Sequence, residues 1–145
     1  MESGDTSAAM KSSEHVERIY SGPTLIAVIV RSAFEESGVS FFSPFEFSQQ
    51  LGLLVHPTGF AVKPHMHKMI SRDVRVTQEV LHLVRGKVEI DLYDERHQLL
   101  QTCLLQPGDT ILLAFGGHGL RILEPAKIIE IKQGPYAGMD DKEYF

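Results

Sequence analysis

Apolar residues along this chain recur in short runs separated by turn-forming residues, and no stretch keeps a 3.6-residue period long enough to predict a helix. The runs are Leu25 to Arg31, Val39 to Phe42, Gln50 to Val55, Phe60 to His67, Val74 to Val84, Val88 to Tyr93, Leu99 to Leu105, Thr110 to Phe115, Leu120 to Leu123 and Lys127 to Lys132. Ser21-Gly22-Pro23, His56-Pro57-Thr58-Gly59, Arg85-Gly86-Lys87, Asp94 to His97, Gln106-Pro107-Gly108-Asp109 and Gly116-Gly117 lie between them and suit tight turns. Short strands in this number need a closed or doubled sheet, so the pattern predicts an all-β sandwich or barrel. Between Arg31 and Gln50 the pattern is ambiguous. Ser32 to Ser37 allows one helical turn, and Phe41, Phe42, Phe45 and Phe47 allow an aromatic cluster.

The first fourteen residues are small and polar, with too few large apolar side chains to offset the entropy of ordering them. Residues 1–14 are therefore expected to be a loose, dispensable arm, and residues 15–145 one domain. A length of 145 residues suits a single core. The 14 basic residues against 19 acidic ones, a net charge of −5, argue against a nucleic-acid partner. No apolar run is long enough to span a bilayer and no signal peptide opens the chain, so the expectation is a soluble, cytoplasmic protein without a membrane partner. Cys103, the only cysteine, excludes an intrachain disulfide and reads as a buried thiol.

The chemistry concentrates in a few positions. His65 and His67 are one residue apart on a strand-like stretch, and strand alternation sends both imidazoles to one face, where they can chelate one ion. Glu79 shares strand parity with Leu81 and Leu83, which aims its carboxylate at an apolar interior where it needs a partner. His118 sits among Gly116, Gly117 and Gly119, whose backbone freedom lets an imidazole be aimed where a regular strand would not place it. Three imidazoles and a carboxylate suit one divalent transition metal such as Zn, Fe, Mn or Ni, with water or substrate completing the shell. His82 has the opposite parity to Glu79, His56 and His97 lie at turns and His15 follows the arm, so these are read as structural or surface residues. Arg75, on the face of Thr77 and Glu79, is a candidate for an anionic substrate group, against the ordinary alternative of an exposed hairpin arginine. Gln133, on the face of Ile129 and Ile131, is a candidate for the rim of the barrel.

These residues resemble the cupins, small jelly-roll β-barrels. The spacing Gly59, five residues, His65-Met66-His67 and the spacing Glu79, six residues, Gly86 match the first cupin motif. The intervening Lys68 to Gln78 is longer than the usual three or four residues. Pro107-Gly108-Asp109 and Gly116-Gly117-His118 resemble the second motif, with Ala114 where a proline is usual and without its later asparagine. The ending Ile128 to Tyr136 is similar to a little-characterised cupin subgroup often associated with sugar or polysaccharide biosynthesis.

The resemblance implies a single-domain cupin barrel with His65, His67, Glu79 and His118 as metal ligands. It also implies a homodimer, for which Val80, His82 and Val84 on an outer sheet face offer an apolar patch. The leading expectation is a metal cupin that binds or acts on a small polar, sugar-related molecule, as an isomerase, a lyase or a dioxygenase. One alternative is a metal-free sugar-nucleotide isomerase in which His65 and His67 transfer protons. The other is a non-catalytic ligand-binding accessory protein.

Overall fold

The computed structural model describes residues 10–145. Eight strands follow one another: β1 (Val16–Ser21), β2 (Thr24–Val30), β3 (Gly38–Phe41), β4 (Gly52–Val55), β5 (Glu79–Tyr93), β6 (Leu99–Leu105), β7 (Thr110–Leu113) and β8 (Gly117–Lys132), with one 3₁₀ turn at Gly138–Asp141. The large sheet runs β1-β2-β7-β5-β6 with β8 paired to β5, and β3-β4 form a separate hairpin. Every pairing is antiparallel, and the large sheet curls into a half-barrel. The class is all-β, as the run pattern predicts.

Two apolar layers hold the sheet. Ile19, Ile26, Ile29, Leu81, Leu83, Val88, Ile90, Leu92, Cys103, Leu105, Ile111 and Leu113 form the concave core. On the opposite face Val28, Val80 and Leu112 pack with Phe34 and Phe42, supported by Leu51 and Leu53 around the β3-β4 hairpin. Val80 is thereby 7% exposed and covered by its own chain, so the outer apolar patch expected from Val80, His82 and Val84 is reduced to Val84. His82 turns to the Thr110 hydroxyl, 2.8 Å away.

The runs Val74 to Val84 and Val88 to Tyr93 become one long strand that starts only at Glu79, and Leu120 to Leu123 and Lys127 to Lys132 likewise merge into β8. Arg85-Gly86-Lys87 is not a hairpin turn. The pairing of β5 with β8 shifts register between Leu83 and Arg85, between Arg85 and Lys87 and between Lys87 and Val88, and Gly86 has φ +99°. A side chain at Gly86 would overlap Ala126, whose Cα lies 2.7 Å from the ideal Cβ position. Bulges of this kind increase local twist and bend both strands, and here they form the corner of the half-barrel.

Other expectations change as well. Phe60 to His67 forms no strand, and every residue from Pro57 to Thr77 is exposed. Ser32 to Ser37 makes a turn, with Phe34 N donating to Arg31 O at 2.9 Å, and no helix. The four phenylalanines do not cluster. Phe42 packs edge-on to Phe34 and Phe47 to Phe115, while Phe41 and Phe45 are exposed. Strand β1 escaped the run pattern because the adjacent charges Glu17 and Arg18, before a single buried Ile19, dilute the apolar signal.

The described part of the arm is tied down. Lys11 N donates to Phe41 O at 3.0 Å, and Arg18 reaches back to Lys11 O at 2.5 Å. Residues 1–9, the rest of the arm, lie outside the described residues. Among the described residues no helix is long and apolar enough to cross a membrane.

Candidate functional site

Glu79 opens β5 between Leu113 of β7 and Lys132 of β8, on the face that Leu81 and Leu83 present to the concave core. Its side chain is 12% exposed, and a carboxylate in that position needs a partner. The partner is His118, whose Nε2 lies 2.7 Å from Glu79 Oε1. His118 stands near the start of β8, opposite Leu92, after Gly116 (φ +73°). A side chain at Gly116 would collide with the carbonyl oxygen of Tyr93, so the turn that presents His118 accepts only glycine there.

A second carboxyl group joins the pair. Glu130, two residues before Lys132 on β8 and opposite Leu81, lies close enough to Glu79 for the two carboxyls to shift each other's protonation. The bond from His118 holds the Glu79 carboxyl below the usual carboxylate range despite its burial, with Glu130, the charge of His118 and Lys132 helping. Glu130 shifts the other way. Its hydrogen bond to Glu79, with burial and the repulsion of that charge, makes it keep its proton to higher pH, against Lys132 and Lys142. Two carboxyls whose protonation shifts in opposite directions, beside an imidazole, are groups able to give and take protons.

The pair lines a cavity of about 550 Å³. Gly116, Gly117 and His118 form one wall, Thr77 and Glu79 another, and Lys142, Glu143, Tyr144 and Phe145 a third. The C-terminal segment is anchored. Phe145 stacks on His97 at 4.0 Å and meets Tyr93 edge-on at 5.2 Å, and Thr77 Oγ1 donates to Asp141 Oδ1 at 3.0 Å. Of the residues singled out in the sequence, Glu79 and His118 are brought together, and Glu130 and the C-terminal segment were not among them. Glu130 lies among Ile129, Ile131 and Lys132 with no motif to mark it, and the C-terminal segment carries no strand pattern.

Arg75 and Gln133 share a smaller pocket of about 210 Å³, which touches the first through Val76, Thr77 and Asp141. Arg75 is exposed and bonded to Asp73, Nε to Oδ2, at 3.1 Å. Gln133 accepts from Ser48 Oγ at 2.8 Å and from Gln49 Nε2 at 3.3 Å, which fastens the end of β8 to the loop before β4.

His65 and His67 stand apart from Glu79 and His118, on the exposed 57–77 segment, with their rings 5.5 Å apart. His65 Nδ1 contacts only Lys63 O among the described residues, at 2.9 Å. Glu79 and His118 therefore offer two adjacent donors of the right chemistry for a divalent metal. The four expected ligands are not gathered within one chain, and among the described residues no group of three or more His, Cys, Asp or Glu side chains is placed to hold a metal.

The Pro107-Gly108-Asp109 motif has a structural role. Asp109, 2% exposed, accepts from Ser32 N, Gln106 N and Arg31 Nη1, each at 2.9 Å, and so locks β7 to the end of β2. Comparison of the chain with family models, with curated proteins and with solved structures gave no match.

Proposed function

We propose that this protein is a jelly-roll protein of the cupin type that binds a small polar molecule in the cavity beside His118 and exchanges a proton with it through the His118–Glu79–Glu130 set. The observation that carries this reading is the 2.7 Å contact of His118 with a nearly buried Glu79 at the wall of a 550 Å³ cavity. A cavity of that size suits a small ligand. The strand order, in which β5 pairs β7 and β6 along one edge and β8 along the other around a sharp corner, supports the jelly-roll assignment. His118, about one third exposed, faces the ligand. Glu79 orients its ring, and Glu130 keeps its proton to higher pH beside Glu79.

A second reading is favoured by the convergence of Glu79 Oε1 and His118 Nε2, both good donors to a divalent transition metal. In it, His65 and His67 supply the remaining ligands and the bound ion would act as a Lewis acid toward the ligand. A sugar-nucleotide isomerase reading needs His65 and His67 at the cavity instead, and an accessory protein would use the same cavity without turnover.

The test is a thermal-shift and turnover screen of polyols, hydroxy acids, sugars and sugar nucleotides. It uses wild type and the His118→Gln variant, with elemental analysis of protein purified without a metal-affinity tag. The proposal expects a ligand whose stabilisation disappears in His118→Gln. Equal stabilisation of both proteins removes the cavity from the function. Stoichiometric metal lost in Glu79→Gln decides for the second reading, and binding without turnover decides for the accessory protein.

A further inference from the structure

The half-barrel stops at β8. That strand pairs with β5 along one edge, and its other edge has no partner among the described residues. Residues of β8 opposite the buried Val88 and Ile90 should continue the concave core, yet Ile122 and Leu120 are 55% and 40% exposed. A long open strand edge flanked by exposed apolar side chains is a ready template for another strand.

The same chain carries a strand-like sequence that no sheet uses. Residues 61–77 make no backbone hydrogen bonds among the described residues, although Val62, Met66, Met69, Ile70, Val74 and Val76 are all exposed. This segment leaves the body after the His56–Phe60 stack, whose rings are 3.9 Å apart, and returns at Val76 and Thr77. The charges also match. Within residues 60–73, Lys63, Lys68 and Arg72 against Asp73 make the segment basic, whereas the cavity beside the β8 edge presents Glu79, Glu95, Asp141 and Glu143 against Lys142.

We propose that the 60–73 segment of a second copy lies along the free edge of β8, so that two copies exchange segments in a two-fold dimer and each closes the other's cavity. Exchange of an identical element satisfies both open edges at once. It covers Leu120 and Ile122, and it sets the basic segment over the acidic rim. His65 and His67 then arrive at Glu79 and His118 from the partner, which accounts for four candidate ligands that no single chain assembles. Only this last clause rests on the metal reading above.

Light scattering at tens of micromolar tests the dimer. Wild type is expected at about twice 16.2 kDa, and Ile122→Lys, a change at an exposed position, is expected as a folded monomer with unchanged far-ultraviolet circular dichroism. A wild-type monomer, or an Ile122→Lys protein that stays dimeric, overturns the proposal. The metal clause is tested on heterodimers isolated through two non-histidine tags. One copy carries His65→Gln and His67→Gln, the other Glu79→Gln and His118→Gln. Segment exchange expects one zinc per heterodimer and none in either mutant homodimer. Wild type that binds zinc while the heterodimer does not shows that each chain uses its own histidines, which overturns exchange. Wild type that binds no zinc overturns the metal reading, and Ile122→Lys still decides the dimer.

Discussion

His118 touches Glu79 although the residue it pairs with across the sheet, Leu92, stands near the far end of β5 from Glu79. In a flat strand, at roughly 3.3 Å per residue, those two β5 positions would be about 40 Å apart. The contact therefore exists only because β5 and β8 fold over at the bulged corner around Gly86. The site is a product of the curl. Glu79→Gln keeps the shape but replaces the charge-assisted bond with a neutral one, and should cost about 1 kcal/mol at neutral pH. The depressed Glu79 pKa fixes the sign. Its stabilisation is complete above the ordinary carboxylate value of 4.5 and is lost as pH falls through the lower folded value. Melting curves of chelator-treated wild type and Glu79→Gln should differ near pH 7 and converge on acidification below about pH 4.

Glu130 behaves oppositely. Its folded pKa is raised above 4.5, so its favourable contribution is present below that value and is lost as pH rises through the folded pKa. Glu130→Gln removes the like-charge repulsion and keeps an N–H to donate to Glu79. The variant should melt about 2 °C above wild type at pH 8, and the gain should vanish below about pH 4. A loss of stability at pH 8 would mean that Glu130 serves Glu79 as more than a neighbouring carboxyl.

The apolar runs predicted most strands within a residue or two, because a half-buried strand writes its alternation into the sequence. What the runs do not reveal is continuity across a corner. Arg85-Gly86-Lys87 has the composition of a hairpin turn and serves as a bulge, since which of the two forms depends on whether β8 lies opposite. Parity places Glu79 on the core face, as observed, and glycine context marks His118, whereas nothing local marks Glu130. Its role is set by a cross-strand neighbour that no local pattern names. The His65–His67 motif was legible as chemistry and misleading as structure. Its strand needs an edge to pair with, and the free edge of β8 has no partner among the described residues.

Asp109 carries the connection between β7 and the end of β2. Asp109→Ala takes the acceptor from Ser32 N and Gln106 N in a nearly closed space and leaves the Arg31 guanidinium with Glu17 and Leu104 O. Two buried backbone N–H groups left unsatisfied cost about 3 kcal/mol together. Urea unfolding should show that loss with an unchanged denaturant slope. Asp109→Asn, which keeps one acceptor oxygen, should lose about half as much.

Gly86 should be the most sensitive position outside the cavity. Its φ of +99° disfavours any L side chain, and a Cβ there would meet the backbone and side chain of Ala126 and the carbonyl oxygen of Pro125, none of which can swing away as a flexible side-chain end does. Holding a non-glycine residue in such a conformation costs on the order of 1–3 kcal/mol before any clash is counted. Gly86→Ala should therefore lose about 3 kcal/mol or open the corner of β5 and β8 to relieve the overlap. Gly119→Ala is the matched control, because that position has open space and an ordinary φ one residue from His118. Opening the corner would part Glu79 from His118, so Gly86→Ala should also lose the pH dependence of stability that Glu79 contributes. A Gly86→Ala protein as stable as Gly119→Ala, with that pH dependence intact, would show that the corner is not what brings the two residues together.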